Sequence, residues 1–249
     1  MRQCPVLLYH WFQAEGSSSC NGSHHLEIST RMFGRQMHLL KRLGYQTVPL
    51  KAILSTKNRC RLPAKPVVIT FDDGTLDFWE FGKPILEKYG FTATLFIVTG
   101  YVGKDSGWDR NLGIRPRPLM GWEEIIKLHE AGFEVGSHTH THRPFTTIGE
   151  GDVRMELTKS RKVLADKTGT APEFVAYPRG FYHARHKQMV REAGYQGACS
   201  VVLGVRDLLR SDHFELMRMM VKKKTSIAQF CARLWLSGVI PFSNLDSAE

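Results

Sequence analysis

The chain has 249 residues, 42% of them hydrophobic and 23% charged, a composition that excludes a disordered chain and, with no repeat in sight, a solenoid. That length suits one sizeable core, and α/β barrels of this size commonly form a single domain. The formal net charge of +10 would suit nucleic acid, an anionic membrane or an acidic substrate, but only Lys222 to Lys224 and the "RNLGIRPR" run are densely basic. Neither carries the aromatic interleaving of a nucleic-acid binder, so no nucleic-acid partner is expected.

Apolar runs rich in β-branched and aromatic residues alternate with segments of helical period, the pattern of repeated β-α units around a mainly parallel sheet. In chain order the sequence predicts a strand over 6–10, then a helix over 30–43 with Phe33, Met37, Leu40 and Leu43 on one face and Gly44 as its stop. A strand over 46–50 and another over 67–71 lead to a helix over 77–89 ending at Gly90. Strands over 94–98 and 134–137 flank a helix over 122–130, and a helix over 151–167 stops at Gly169. A strand over 174–177, a helix closing at Ala193 and a strand over 197–202 complete the rhythm. The apolar, amphipathic segment "TSIAQFCARLWLSGVIPF" forms a C-terminal helical extension, 222–249, that packs on the barrel or touches a membrane peripherally.

Two places collect chemistry at strand ends, where active sites sit in parallel α/β folds. In "VVITFDDGTLD" Asp72 and Asp73 follow an apolar strand; a helix cap would account for one of them and leave the other unexplained. In "EVGSHTHTHRPF" His138 and His142 are four apart, so one helical turn brings both imidazoles to one side, with His140 pointing elsewhere. Two histidines and a carboxylate make a metal site with open positions, which polarises a carbonyl and lowers the pKa of a bound water.

In this order and at strand ends, "TFDDG", "SHTHTH" and "FVAYPRG" resemble the leading motifs of the polysaccharide deacetylases, carbohydrate esterase family four, over roughly residues 5 to 221. The resemblance implies a distorted (β/α) barrel of the α/β class, formed by residues 1–249 as a single catalytic domain. Its implied activity is the removal of N-acetyl groups from amino sugars with a divalent metal, usually Zn2+, with Co2+, Ni2+ or Mn2+ as alternatives. Carried over, Asp72 is the general base, Asp73, His138 and His142 are the ligands, and the backbone at Arg179 or Gly180 holds the oxyanion, with Tyr177 beside it. The implied partner is an N-acetylated glycan or glycoconjugate.

Two positions depart from that pattern. Most members open the third motif with an arginine that braces the base, and here Ala176 stands there; Arg218 is the candidate replacement, since a guanidinium can hold a carboxylate bidentately, the alternative being an ordinary surface arginine. Most members also end with a leucine-x-histidine motif whose histidine is the general acid. Nothing late in the chain matches, His213 having the wrong context, whereas "LLYHWF" places His10 at the end of an apolar strand. This resembles the circularly permuted branch containing the poly-N-acetylglucosamine deacetylases, so His10 is expected to be the acid.

Trp11, Trp108 and Trp122 are candidates for stacking on sugar rings, and Asp109 lies with Trp108 in a Gly-rich loop suited to substrate contact. Tyr9, Thr70, Thr75 and Thr141 are expected to support the motifs rather than react. The rival readings are a deacylase of another amide or an ester, and a non-catalytic glycan-binding module on a degenerate barrel. The five cysteines, Cys4, Cys20, Cys60, Cys199 and Cys231, include no CxxC pair and read as reduced thiols. With the short apolar run of "MRQCPVLLYHWF" and no stretch of ~20 apolar residues, a cytoplasmic protein is expected.

Overall fold

The computed structural model describes residues 4–13, 25–54, 62–201 and 212–236. Strand β1 (Val6–Tyr9) is followed at once by β2 (Trp11–Gln13), which pairs in parallel with β3 (Glu27–Ser29). Helix α1 (Thr30–Arg42) is capped by the Ser29 hydroxyl, which accepts from the Met32 N–H, and it buries Phe33, Met37 and Leu40 as its period requires.

The predicted strand over 46–50 is cut to β4 (Gln46–Thr47), and Leu50 instead opens helix α2 (Leu50–Leu54). Pro49 cannot donate to a ladder, and the Glu134 carboxylate accepts from the N–H groups of Leu50 and Lys51, drawing the chain into a helical turn. Strand β5 (Pro66–Phe71) is buried throughout. The predicted helix over 77–89 is not one α-helix: a π-helical turn, Phe78–Gly82, precedes α3 (Lys83–Lys88). Pro84 has no N–H to give to the carbonyl one turn back, and the Lys83 N–H reaches the Phe78 carbonyl in the wider pattern.

The remaining units are β6 (Thr94–Ile97), α4 (Trp122–Glu130), β7 (Glu134–Ser137), α5 (Glu150–Thr168), β8 (Phe174–Ala176), α6 (Ala184–Glu192), β9 (Gly197–Cys199), β10 (Met219–Met220) and α7 (Ile227–Leu236). All pair in parallel, in the order β10-β1-β5-β6-β7-β8-β9, with β4 beside the start of β5. Leu216 bridges to Cys199 while Met219 and Met220 pair with β1, so one continuous segment joins the two ends of the curled sheet. The result is the distorted (β/α) barrel expected from the sequence.

Strand alternation decides which side chains reach the barrel interior. Val6, Val68, Phe96, Phe174, Ala176 and Leu216 face inward as one cluster, whereas Leu7, Tyr9, Val67, Ile69 and Phe71 face outward onto the helices. Gly136 is required by the inner layer, because a Cβ there would lie 2.6 Å from the Phe96 ring. The described part of the C-terminal segment packs on the barrel: Phe230 and Leu234 of α7 join the outer layer with Met37, Leu40 and Val221. Truncating Phe230 would cost roughly 3–5 kcal/mol. Residues 237–249, Cys20, Cys60 and the end of the predicted strand at Val202 lie outside the described residues. Cys4 and Cys199 are buried free thiols, Cys231 a half-buried one. No described helix is long and apolar enough to cross a membrane.

Candidate metal and catalytic site

The two acids leave β5 in different directions. Thr70 faces inward and Asp72, two positions on, does so too; it is 2% exposed. Asp73 adopts a left-handed backbone, φ 72°, followed by Gly74 at 73°, and this turn swings its carboxylate back over the same strand ends. Leu8 lies opposite Thr70 and Tyr9 opposite Phe71, while the Asp72 N–H donates to the Tyr9 carbonyl at 3.1 Å. The next step of β1 therefore delivers His10 beside Asp72. Thr70 gives its hydroxyl to the Leu7 carbonyl, Thr75 to Asp77, and the fully buried Tyr9 to Gln36.

His138 and His142 do reach one side, but not through a helical turn. Thr139 and His142 are left-handed, φ 67° and 62°, and the His142 N–H donates to the Thr139 hydroxyl. Among the described residues, the non-glycine positions with positive φ are Asp73, Thr139, His142 and Arg179, all at this site, where strain of this kind is characteristically stored. His140 turns away, its Nδ1 2.9 Å from the Thr99 hydroxyl.

Three donor atoms converge. The two Nε2 atoms are 3.2 Å apart, and Asp73 Oδ1 lies 3.6 Å from that of His138 and 3.7 Å from that of His142. Donors bound at about 2.0–2.1 Å around a tetrahedral ion sit about 3.4 Å apart, so the triangle fits a divalent cation such as zinc. His138 Nδ1 donates to the Ala176 carbonyl at 2.9 Å, which leaves its Nε2 lone pair for the ion. Trp11 Nε1 donates to the other oxygen of Asp73 at 2.9 Å. Asp73, His138 and His142 are buried and form a group able to hold a metal ion.

The electrostatics separate the acids. Burial pushes the Asp72 carboxyl up, but the Arg218 guanidinium, with His138 and His10, outweighs it and holds Asp72 well below the usual carboxylate range. For Asp73, burial and then the neighbouring Asp72 charge raise it to about 7. Burial lowers both imidazoles, and His138 lowers His142 further. Asp72 is paired with Arg218 whereas the Asp73 carboxyl has no such ion pair among the described residues, and a cation at this place would supply the missing positive charge.

Arg218 is the largest fully buried side chain described. It donates to both oxygens of Asp72, at 2.6 and 2.8 Å, to the Ser200 carbonyl at 3.0 Å and to the Thr70 hydroxyl at 3.3 Å, with its guanidinium over the Phe96 ring. Ala176 faces the same interior.

His10, Asp72, Asp73, His138 and His142 line one cavity of about 370 Å³ together with Trp11, Asp109, Arg179 and Phe181. Asp109 pairs with Arg179 across it, and Trp108 lies against His142 at 4.7 Å between ring centroids. Gly180 spends its N–H on the Tyr177 carbonyl. Tyr177 is a correction: following Ala176 in strand phase, its ring points outward, stacks on Tyr182 and donates to the Phe214 carbonyl, and its N–H is taken by Cys199, so it does not face the cavity. Trp11 is spent on Asp73 and on Arg117, 4.6 Å over its ring, and Trp122 packs on the outer layer. His213 lines a separate groove with Lys51 and Glu173. Sequence reasoning missed the apolar wall formed by Leu26, Ile114, Val201 and Met220, and the 55%-exposed Phe181 at its edge, whose only signal is its place directly after "PRG".

Fold and cluster together define a β/α barrel that carries a carboxylate–histidine site at its strand ends. A family profile described as polysaccharide deacetylase matches residues 60–198, and the chain belongs to that family. Poly-beta-1,6-N-acetyl-D-glucosamine N-deacetylase of Staphylococcus aureus (strain MSSA476) is 27% identical over 186 residues, 71% of this chain and 62% of that protein. The Bacillus subtilis protein YxkH, named for the same family, is 28% identical over 193 residues, 77% of this chain and 62% of its own length. The chain thus spans about three fifths of these curated relatives. Among solved structures, Streptococcus pyogenes deacetylase PplD in complex with acetate superposes with a TM-score of 0.79 at 21% identity, covering 93% of this chain and 98% of that one. IcaB from Ammonifex degensii gives 0.75 at 24% identity, covering 94% and 97%. These two likenesses bear on the fold.

Proposed function

We propose that the protein hydrolyses the N-acetyl group of an amino sugar within a glycan, with a divalent cation, zinc by its donor set, held by Asp73, His138 and His142. The observation that carries this reading is the meeting of that triangle with an ionised Asp72 and with His10 around one cavity. When bound, the cation polarises the acetyl carbonyl and acidifies a water. Asp72, kept ionised by Arg218, takes a proton from the attacking water. The oxyanion is assigned to the N–H of Arg179, a left-handed residue that lines the cavity, rather than to that of Gly180, which is already given to the Tyr177 carbonyl. His10 gives a proton to the departing amine as the carbon–nitrogen bond breaks, leaving acetate and a free amino sugar. Phe181 offers a face for a sugar ring at the edge of the cavity. In this reading the acid comes from the N-terminal strand β1, which lies between β10 and β5.

The name of the Staphylococcus aureus relative supports an N-acetylglucosamine glycan as substrate. The test is mass spectrometry of zinc-loaded protein incubated with N-acetylglucosamine that is free, nucleotide-linked or in a β-1,6 polymer, and with O-acetylated sugars as controls. Loss of acetyl from an amide substrate, abolished by Asp72→Asn, is expected. Glycan binding without acetate release, or turnover of the esters alone, overturns the proposal.

A further inference from the structure

Helix α5 buries two polar side chains one turn apart on the face it turns to the sheet, Glu156 and Ser160, both 0% exposed. An amphipathic helix would place apolar residues there, and neither group belongs to the catalytic constellation described above. Both are spent on the histidine turn. Glu156 Oε2 accepts the N–H groups of His140 and Thr141, each at 2.7 Å, and its Oε1 accepts the Thr141 hydroxyl. Ser160 Oγ meets Ser137 Oγ at 2.8 Å, and Ser137 Oγ accepts the Thr139 N–H at 3.1 Å.

Resting on the metal reading of the previous subsection, we infer that Glu156 is a positioning residue that sets the two imidazole ligands through the backbone between them. The turn from His138 to His142 contains two left-handed residues, a conformation the chain does not hold by itself. Backbone N–H groups turned inward at a barrel end need an acceptor, and a buried carboxylate takes two of them and a hydroxyl at once. With those three bonds made, the peptide planes on both sides of His140 are fixed, His140 is directed at Thr99, and the Nε2 atoms of His138 and His142 are brought to 3.2 Å. Ser160 secures the other end of the same turn. The helix therefore acts on the ion without touching it, as outer-shell groups do at metal sites.

The test compares full-length Glu156→Ala, Glu156→Asp and Glu156→Gln with the parent protein. Zinc affinity is read by competition with a chromophoric chelator, geometry by the visible spectrum of the cobalt form, and the turn itself by hydrogen exchange at the His140 and Thr141 amides without metal. Glu156→Asp retracts the carboxylate by one methylene and, like Glu156→Ala, should lose zinc affinity by about 10–100-fold, alter the cobalt spectrum and accelerate exchange at both amides. Glu156→Gln keeps an amide oxygen for the two N–H groups and should stay within a few-fold of the parent. Should Glu156→Ala not fold, the aspartate variant decides alone. A folded Glu156→Asp with parental affinity, spectrum and amide protection overturns the inference. If the parent protein itself binds no zinc, the metal reading fails, and the exchange of the two amides still decides whether Glu156 holds the turn.

Discussion

Arg218 meets Asp72 across 146 positions of chain through two parallel hydrogen bonds, Nη1 to Oδ1 at 2.6 Å and Nη2 to Oδ2 at 2.8 Å, with both side chains buried. A buried carboxylate otherwise drifts toward its neutral form, and a protonated Asp72 has no lone pair to offer an attacking water.

Removing the guanidinium should cost both stability and turnover. Arg218→Met is expected to lose about 3–5 kcal/mol in urea unfolding, because it leaves Asp72 buried and unpaired. Arg218→Lys keeps the charge but not the two-pronged geometry and should fall between. The folded-state pKa of Asp72 is depressed, so its stabilisation is present above the unfolded value of about 3.9 and is lost as pH falls through the folded value. The stability gap between parent and Arg218→Met should accordingly be widest near neutrality and close in acid. A gap independent of pH would mean that the pair does not set the Asp72 ionisation.

Metal binding should follow the triangle of donors and ignore the middle histidine. Alanine at Asp73, His138 or His142 is expected to abolish stoichiometric zinc by elemental analysis in protein that still melts cooperatively. His140→Ala should keep its zinc, since that ring is committed to Thr99. Full zinc in the His138 variant would rule out the assignment.

Acid should strip the metal by way of Asp73. Burial and the Asp72 charge raise its carboxyl to about 7 in the metal-free site, so protons compete with the ion below that value. The dissociation constant for zinc, measured by competition titration, should rise roughly tenfold per unit as pH falls below about 7, the slope of a single proton. Because this folded-state pKa is raised, the group's contribution to metal-free stability is present below its unfolded value and is lost as pH rises through about 7. Added zinc should thus raise the melting temperature more at about pH 8 than at about pH 6. Equal increments at both would exclude Asp73 as the titrating ligand.

His10 and His213 should behave differently when replaced. His10 lines the cavity with Asp72, whereas His213 lines the groove with Lys51 and Glu173. His10→Ala is expected to retain zinc and lose roughly 10²–10⁴-fold in amide turnover, with a smaller loss on an activated ester whose leaving group needs no proton. His213→Ala should match the parent on both substrates. An amide-selective loss in the His213 variant instead would overturn the role of His10.

Much of this was written in contiguous residues. The helix–glycine–strand rhythm, the two acids after "VVITF" and the four-residue spacing of His138 and His142 depend on local periodicity and on turns a few residues long, which neighbouring side chains encode. Where other chemistry competed with the pattern, the pattern lost: Pro49 nearby and Glu134, 84 positions from Leu50, made a helix of a predicted strand end, and Pro84 widened a predicted helix into a π-turn.

What only the tertiary structure decided is which distant groups share the barrel interior. Ala176 turns inward and Tyr177 outward because strand phase is fixed by the curled sheet, a property no single strand contains. The partner of Arg218 depends on the segment that joins β9 to β1 at the sheet ends, and the bond from Trp11 to Asp73 depends on β1 lying beside β5. Residue types and their order determined that a carboxylate–histidine site would form. Strand order in the curled sheet, which brings groups 62 and 146 positions apart within hydrogen-bond reach, decided what holds its acids in place.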